Sequence, residues 1–217
     1  MSAKINLVKI PEIIRIDSPD GRMYKVPNGN LYPSVSTVLG KGLDNSVIDE
    51  WRAKVGDKVA DEISKRATVR GTLLHENIEN QLLGKPLTFN MFHAEERQMF
   101  KPVLPILDDI EEVIALETQL WSDKLRVAGT VDCCAFYKGK WRLIDWKTSG
   151  RYKSRDDIHS YFMQCACYAF SLYERTGIIV NDLLIVMLTQ DDGLLLFEES
   201  VRDWLPKFIE VRNKVNI

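Results

Sequence analysis

Cysteine is scarce in this chain. It has four among 217 residues, as the adjacent pair Cys133-Cys134 and the near pair Cys165 and Cys167. Neither spacing matches a zinc ribbon or a secreted disulfide framework, so the thiols read as buried groups in a reducing compartment. Long apolar runs are missing too. The longest purely aliphatic one, Leu183 to Leu188, has six residues, against the roughly 20 that a membrane helix requires. Met1 to Ile10 carries neither an apolar signal core nor an Arg-rich transit pattern. The expectation is a soluble, cytoplasmic protein without a membrane partner, in a bacterium or in the host cell of a phage. Nor does one sign of charge dominate: 29 Lys and Arg stand against 31 Asp and Glu, a net charge of −2. That balance excludes a globally basic nucleic-acid coat, so nucleic-acid binding would need a local basic patch. Gly40-Lys41-Gly42 is too short for a phosphate loop, and neither a nucleophile elbow nor a dinucleotide fingerprint occurs.

What is present suits one folded domain over residues 1–217, since 45% of residues are hydrophobic and a chain of this size buries about 70% of its unfolded surface. An N-terminal hairpin runs from Ile13 to Ile16 and Met23 to Val26 about Pro19-Asp20-Gly21. Helices are predicted from Ser46, capped with Asp49, to Lys54, from Asp57 to Ala67, and from Leu73 to Leu83 with Gly84 as the stop. Leu74, Ile78 and Leu82 form an apolar stripe at spacing four. A helix from Met91 to Phe100 should break near Pro102 and Pro105. Then the period changes to strands: Val113 to Trp121, Leu125 to Tyr137 and Lys140 to Lys147. A long helix from Asp156 to Arg175 ends at Gly177. A strand pair, Leu183 to Thr189 and Leu194 to Glu198, turns at Asp191-Asp192-Gly193, and a last helix covers Val201 to Val215. This order predicts an α/β fold, a mixed sheet flanked by helices. It divides into a hairpin and helical arch-like region over 1–69, a core over 70–200 and a C-terminal helix over 201–217.

The most informative stretch is Gly129 to Lys147. A two-residue turn at Lys138-Gly139 pairs Tyr137 with Lys140 and, counted outward, sets Asp132 opposite Asp145. A three-residue loop would shift that register by one. Opposed residues project from one face with Cβ atoms roughly 4.5–5.5 Å apart, and Lys147, two beyond Asp145, shares its face. Two facing carboxylates repel unless a cation lies between them, and a hard divalent ion suits them. A lysine beside such an ion suits attack on a phosphodiester. The alternative is a solvated hairpin face whose charges never meet.

Asp132 followed by Asp145-Trp146-Lys147-Thr148 resembles the D…(D/E)xK signature of the PD-(D/E)XK nuclease superfamily, whose restriction-endonuclease-like core has the same element order. Gly71-Thr72-Leu73-Leu74-His75-Glu76-Asn77-Ile78-Glu79 resembles the GTxxHxxxE segment of its RecB-type branch, and Gln164 to Tyr168 the QxxxY helix motif. Within the branch the likeness is greatest to the mitochondrial genome maintenance exonuclease group and related phage and bacterial exonucleases. These share the Gly-x-x-Asp…Leu-Ile-Asp-Trp-Lys-Thr run and a segment similar to Tyr32-Pro33-Ser34-Val35-Ser36-Thr37-Val38-Leu39. The resemblance spans about Tyr32 to Glu198.

The resemblance implies that His75, Asp132, Asp145 and the carbonyl of Trp146 ligate Mg²⁺ or Mn²⁺, and that Lys147 positions or activates the attacking water. Gln164 would orient substrate or that lysine, with Tyr168 in support one helical turn later, and Glu79 would orient a ligand from four residues beyond His75. The cysteine positions depart from those of the iron–sulfur branch, so no iron–sulfur cluster is expected. His93 and His159 read as structural. From Lys138 to Arg155 there are seven Lys or Arg against one acid. With Arg70, the residues Lys138, Lys140, Arg151, Tyr152, Lys153 and Arg155 are the expected DNA track, and Tyr152, Tyr161 and Phe162 are candidates to stack bases. By resemblance, helices carrying Arg52, Lys54, Lys58, Lys65 and Arg66 arch over the site. The expected function is a metal-dependent exonuclease on single-stranded DNA ends in replication, repair or recombination, with proteins of those processes as partners. A double-strand exonuclease, a structure-specific endonuclease and a non-catalytic DNA-binding module are the alternatives.

Overall fold

The computed structural model describes residues 3–191 and 193–216. A short strand, β1 (Lys4–Ile5), lies along the edge of the main sheet. The expected hairpin forms as β2 (Ile14–Ser18) and β3 (Gly21–Lys25), and β4 (Leu31–Pro33) adds a third strand to this small antiparallel sheet. Ser34 ends β4 and caps α1 (Val35–Gly42) by accepting the Thr37 N–H, while Val35, Val38 and Leu39 are buried. The segment of N-terminal resemblance is thus a helix start with its core stripe.

In α2 (Ser46–Val55) the N-cap is Asn45 rather than Ser46, whose hydroxyl donates to Asp44 instead. No residue of α2 is buried. α3 (Asp57–Leu82) is one continuous helix of 26 residues, where a break before Gly71 was expected. A helical glycine costs about 1 kcal/mol, which burial of Leu74, Ile78 and Leu82 outweighs. The expected boundary at residue 69 therefore falls inside a helix. Its first half buries Ala60 alone, and Arg52 of α2 is bonded to Asp57 and Asp61 on it. α4 (Ala94–Phe100) is followed by a 3-10 turn (Lys101–Val103) and α5 (Leu104–Asp108). Pro102 and Pro105 lie in first turns, where no N–H is needed, so helix resumes where a break was expected.

The main strands are β5 (Ile110–Ser122), β6 (Val127–Tyr137) and β7 (Lys140–Ser149). After a 3-10 turn with a Ser154–Asp157 capping box come α6 (His159–Thr176), β8 (Asp182–Thr189), β9 (Leu194–Ser200) and α7 (Val201–Lys214). The turn expected about Asp191-Asp192-Gly193 includes Asp192, which lies outside the described residues. The sheet order is β1-β5-β6-β7-β8-β9, with β1–β5 and β7–β8 parallel and the other pairs antiparallel. One face packs on α1, α6 and α7 through Val38, Phe162, Leu172 and Phe208, the other on α3, α4 and α5 through Leu74, Ile78, Phe100 and Ile106. This is the expected mixed sheet between helical layers. Among the described residues no helix is long and apolar enough to cross a membrane.

Two irregularities in this sheet position the site. The β6–β7 ladder runs from Tyr137–Lys140 to Cys133–Ile144 and stops there, while β7 stays paired with β8 to Ser149. The strands part at Asp132, and a Ser34–Ala128 bridge brings the small sheet against β6 beyond that point. Faces also exchange there. Val131 joins the α6-side core whereas Cys133, two residues on, joins the α3-side core. Strict alternation forbids this. On β5 the matching point is Glu117, in a left-handed conformation (φ 44°) and bracketed by the Leu116–Cys133 and Thr118–Val131 pairs.

Asn77 anchors the chain leaving α3. Fully buried, it donates to the Leu73 carbonyl (2.8 Å) and the Thr88 hydroxyl (2.9 Å) and accepts the Thr88 N–H (2.8 Å). Asn77→Ala should lower stability by about 1–3 kcal/mol, read as a lower urea midpoint at unchanged slope.

Candidate active site where two strands part

The hairpin turn sets the register. Lys138 and Gly139 both have positive φ (49° and 75°), the two-residue turn that matches strand twist. The counted register holds as far as Cys133–Ile144, one pair short of Asp132 and Asp145, where the strands part. Where β6 leaves β7, Asp132 Oδ2 accepts the Trp146 N–H at 2.9 Å. A residue's N–H and C=O leave a strand towards the same edge, so the Trp146 carbonyl also faces the gap. Its indole is buried on the opposite face.

Three groups converge on this gap. His75 Nδ1, from α3, lies 3.6 Å from Glu117 Oε1 and 3.7 Å from Asp132 Oδ2. One ligand atom from each of the three lies within 4.8 Å of the other two. Burial opposes a charge on His75, but Asp132 and Glu117 outweigh it and hold its pKa above the ordinary histidine value. Asp145 and Lys147 share a face, as their spacing requires, and form an ion pair at 2.5 Å. The Asp145 side chain is 2% exposed, and neither of its oxygens receives a hydrogen bond of regular geometry. Burial pushes this carboxyl up to about 6, with Lys147 opposing and Asp132 adding to the rise. For Lys147 burial disfavours the charge, yet Asp145 and Asp132 outweigh it and hold the amine protonated well above its usual range. The His–Glu–Asp cluster gathers two carboxylates and an imidazole with Lys147 engaged by Asp145, a donor set that suits a hard cation. The residues fit a divalent metal.

Glu117 was not foreseen, although the turn arithmetic applied to β6–β7 would have found it. Counting outward from the loop at 123–126 sets Glu117 opposite Asp132. Its left-handed backbone is supported by the Thr118 hydroxyl, which accepts the Leu116 N–H and donates to the Leu116 carbonyl. The carboxylates facing His75 Nδ1 are Glu117 and Asp132.

On α6, Gln164 Nε2 donates to the Tyr168 hydroxyl at 3.4 Å, and Tyr168 is buried. Tyr168 rests on Gly129 of β6, where an added Cβ would lie 2.5 Å from the phenolic oxygen. The glycine before Asp132 and the tyrosine after Gln164 are thus one contact. All four cysteines are buried, and burial pushes their thiols up.

The expected DNA track divides in two. Arg70 is half-buried over the end of β7, its Nη2 4.0 Å from where a Cβ on Gly150 would be, and its Nε has no hydrogen-bond partner. Arg151, Tyr152 and Lys153 follow β7 directly, with Lys147 and Lys153 over the Tyr161 ring at 5.0 and 5.8 Å. Lys138 and Lys140 belong to the opposite end of the hairpin, with Lys140 about 17 Å along the strand from Asp145 and paired with Asp182 at 2.8 Å. Arg155 is paired with Glu199 and lies over Trp204. Phe162 is fully buried and packs on Phe197 and Trp204 rather than offering a stacking face. His93 Nδ1 accepts the Asn90 N–H, and His159 packs on Trp204.

Comparison with known proteins bears on this geometry. The chain is 28% identical over 155 residues to the human mitochondrial genome maintenance exonuclease 1, covering 64% of this chain and 44% of that protein. It is 27% identical over 181 residues to the Xenopus tropicalis protein of the same name, covering 76% and 50%. The relationship is of nuclease type. The chain spans about half the length of the curated relatives it matches. No family model matches it. Among solved structures, a candidate exonuclease from Eubacterium rectale is similar at 13% identity with a TM-score of 0.43, covering 69% of each chain.

The Gly129–Tyr168 contact is testable. Gly129→Ala should destabilise the protein by about 1–3 kcal/mol through overpacking. Adding Tyr168→Phe should recover part of that loss, measured as a coupling energy in a double-mutant cycle.

Proposed function

We propose that this chain is a divalent-metal-dependent deoxyribonuclease that hydrolyses phosphodiester bonds, acting as an exonuclease on single-stranded DNA ends. The observation that carries the reading is the convergence of His75, Glu117 and Asp132 beside a buried Asp145 ion-paired to Lys147. The similarity to exonucleases supports it.

His75, Asp132, Asp145, Glu117 and the Trp146 carbonyl would hold Mg²⁺ or Mn²⁺, since carboxylate and carbonyl oxygens suit these ions. The ion would supply positive charge for the phosphoryl oxygens and acidify a water. Asp145 and Asp132 favour the protonated form of Lys147, which suits it to positioning the attacking water. Its Nζ donates hydrogen bonds, directing the water at the phosphorus and offsetting the charge that builds on the phosphoryl oxygens. Asp132 holds the Trp146 backbone and would also face the ion. Gln164 and Tyr168 brace the wall behind Asp132. The exposed Tyr152 offers a ring face to an unstacked base, and Arg70, Arg151 and Lys153 offer cations to the backbone, which favours a single strand.

Lys147→Ala and Asp132→Ala should each reduce cleavage by about 10²–10³-fold or more while the circular dichroism spectrum persists. The assay follows an end-labelled single strand and its duplex with Mn²⁺, with Mg²⁺ and with EDTA. DNA that is bound yet uncut under every metal would overturn the nuclease reading, and equal cutting of the duplex would overturn the strand preference.

Metal binding should also depend on pH. Asp145 and His75 both have pKa values raised by folding, so in EDTA they contribute stability that is lost as pH rises through about 6 and beyond. Ligation requires both to be deprotonated. Thermal melts should therefore show metal-free stability falling between pH 5 and pH 8 while stabilisation by Mn²⁺ grows. That gain should reach about 2.7 kcal/mol at free metal about 100 times its Kd. A gain that is flat across this range would remove these two groups from the ligand set.

A further inference from the structure

The loop at 123–126 joins β5 to β6, and its last residue, Arg126, holds a left-handed backbone (φ 54°). Glycine or asparagine is the usual occupant of that conformation. Non-glycine strain of this kind concentrates at functional positions. Beside the loop, the C-terminal turn of α7 encloses a cavity of about 330 Å³ lined by Lys124, Arg126, Arg212, Asn213 and Asn216. Arg212 is held in place: Nε donates to the Leu125 carbonyl (3.1 Å) and Nη1 to the Val215 carbonyl (2.9 Å). Among the described residues no acceptor is bonded to its Nη2, and no carboxylate lines the cavity. Asp123 is bonded to Arg175 and the Tyr32 hydroxyl, and Glu174 accepts the Lys124 backbone N–H. Burial and then the Arg126 charge depress the Arg212 pKa, as expected where like charges crowd without a counterion.

We propose that Lys124, Arg126 and Arg212 form a phosphate-binding site, separate from the cluster at His75 and Asp132. Two guanidinium groups with two carboxamides around a half-enclosed space match the several acceptor oxygens of a tetrahedral oxyanion. The site lies about 17 Å along β6 from Asp132, counted as five residues from Val127. It also lies about 15 Å along α6, between Gln164 and Glu174. A strand held at the nuclease site would therefore reach it within a few nucleotides. That source, a backbone phosphate, rests on the nuclease reading; the phosphate chemistry does not. A free phosphate or mononucleotide is the other source.

Arg126→Gly is the leading variant, because glycine suits the loop backbone, and Lys124→Ala is the second. Thermal melts compare inorganic phosphate with chloride at matched ionic strength, and fluorescence anisotropy in EDTA measures binding of a trinucleotide and of a long single strand. The expected result is phosphate stabilisation of the wild type that both variants lose. Affinity for the long strand should fall about threefold or more, with a salt slope shallower by ~0.7 per lost contact, while the trinucleotide binds unchanged. Loss of the phosphate shift with unchanged long-strand affinity assigns the site to free phosphate or a mononucleotide. Loss of long-strand affinity without a phosphate shift assigns it to the backbone. If both readouts match the wild type in both variants, the site does not exist. A wild type that shows the phosphate shift but cuts no DNA leaves this site standing and removes the nuclease reading.

Discussion

A single hydrogen bond from the Trp146 N–H to the Asp132 carboxylate stands where β6 and β7 cease to pair. A buried backbone N–H needs an acceptor. Here the acceptor is a side chain, which allows the strands to separate without an orphaned donor. The rest of the site follows from that separation. The Trp146 carbonyl is released towards the gap, Asp132 is turned inward, and room opens for Tyr168 to rest on Gly129. The small N-terminal sheet meets β6 through the Ser34–Ala128 bridge.

The same place holds the structure's least comfortable electrostatics. Three carboxylates and a histidine surround the gap, one carboxylate is buried without regular hydrogen bonds, and Glu117 has a left-handed backbone. Each feature costs stability in a metal-free chain, and the two large cores on either side of the sheet supply the stability that tolerates it. The Lys147–Asp145 ion pair supplies part of the missing positive charge. It leaves the cluster of His75, Glu117 and Asp132 negative, which is the state a cation would bind.

Basic residues illustrate how a run in sequence differs from a patch in space. The stretch from Lys138 to Arg155 reads as one track, yet it travels the length of β7 and around the following loop. Lys140, Arg142 and Arg155 are consumed in pairs with Asp182, Glu198 and Glu199. Arg70, Arg151 and Lys153 remain near the end of β7. By contrast Lys124, Arg126 and Arg212, scattered in sequence, line one cavity.

Local rules made much of this protein legible. The two-residue turn at Lys138-Gly139 sets strand register by its own backbone geometry as far as Cys133–Ile144, and the pleat places Lys147 beside Asp145. Helical periodicity located the apolar stripe of α3, the resemblance of Gly71 to Glu79 singled out His75, and Gly177 marked the end of α6. These depend on neighbours a few residues away, so one chain of letters suffices to read them. The left-handed turn of Glu117 towards His75, the parting of β6 from β7, the contact of Gly129 with Tyr168 and the pairing of Arg155 with Glu199 were decided by packing. Each joins residues well apart in sequence: Glu117 meets His75 from a strand, and Tyr168 meets Gly129 from a helix. Such contacts form because burying apolar faces on both sides of one sheet brings those backbones together, and no spacing along the chain encodes that approach.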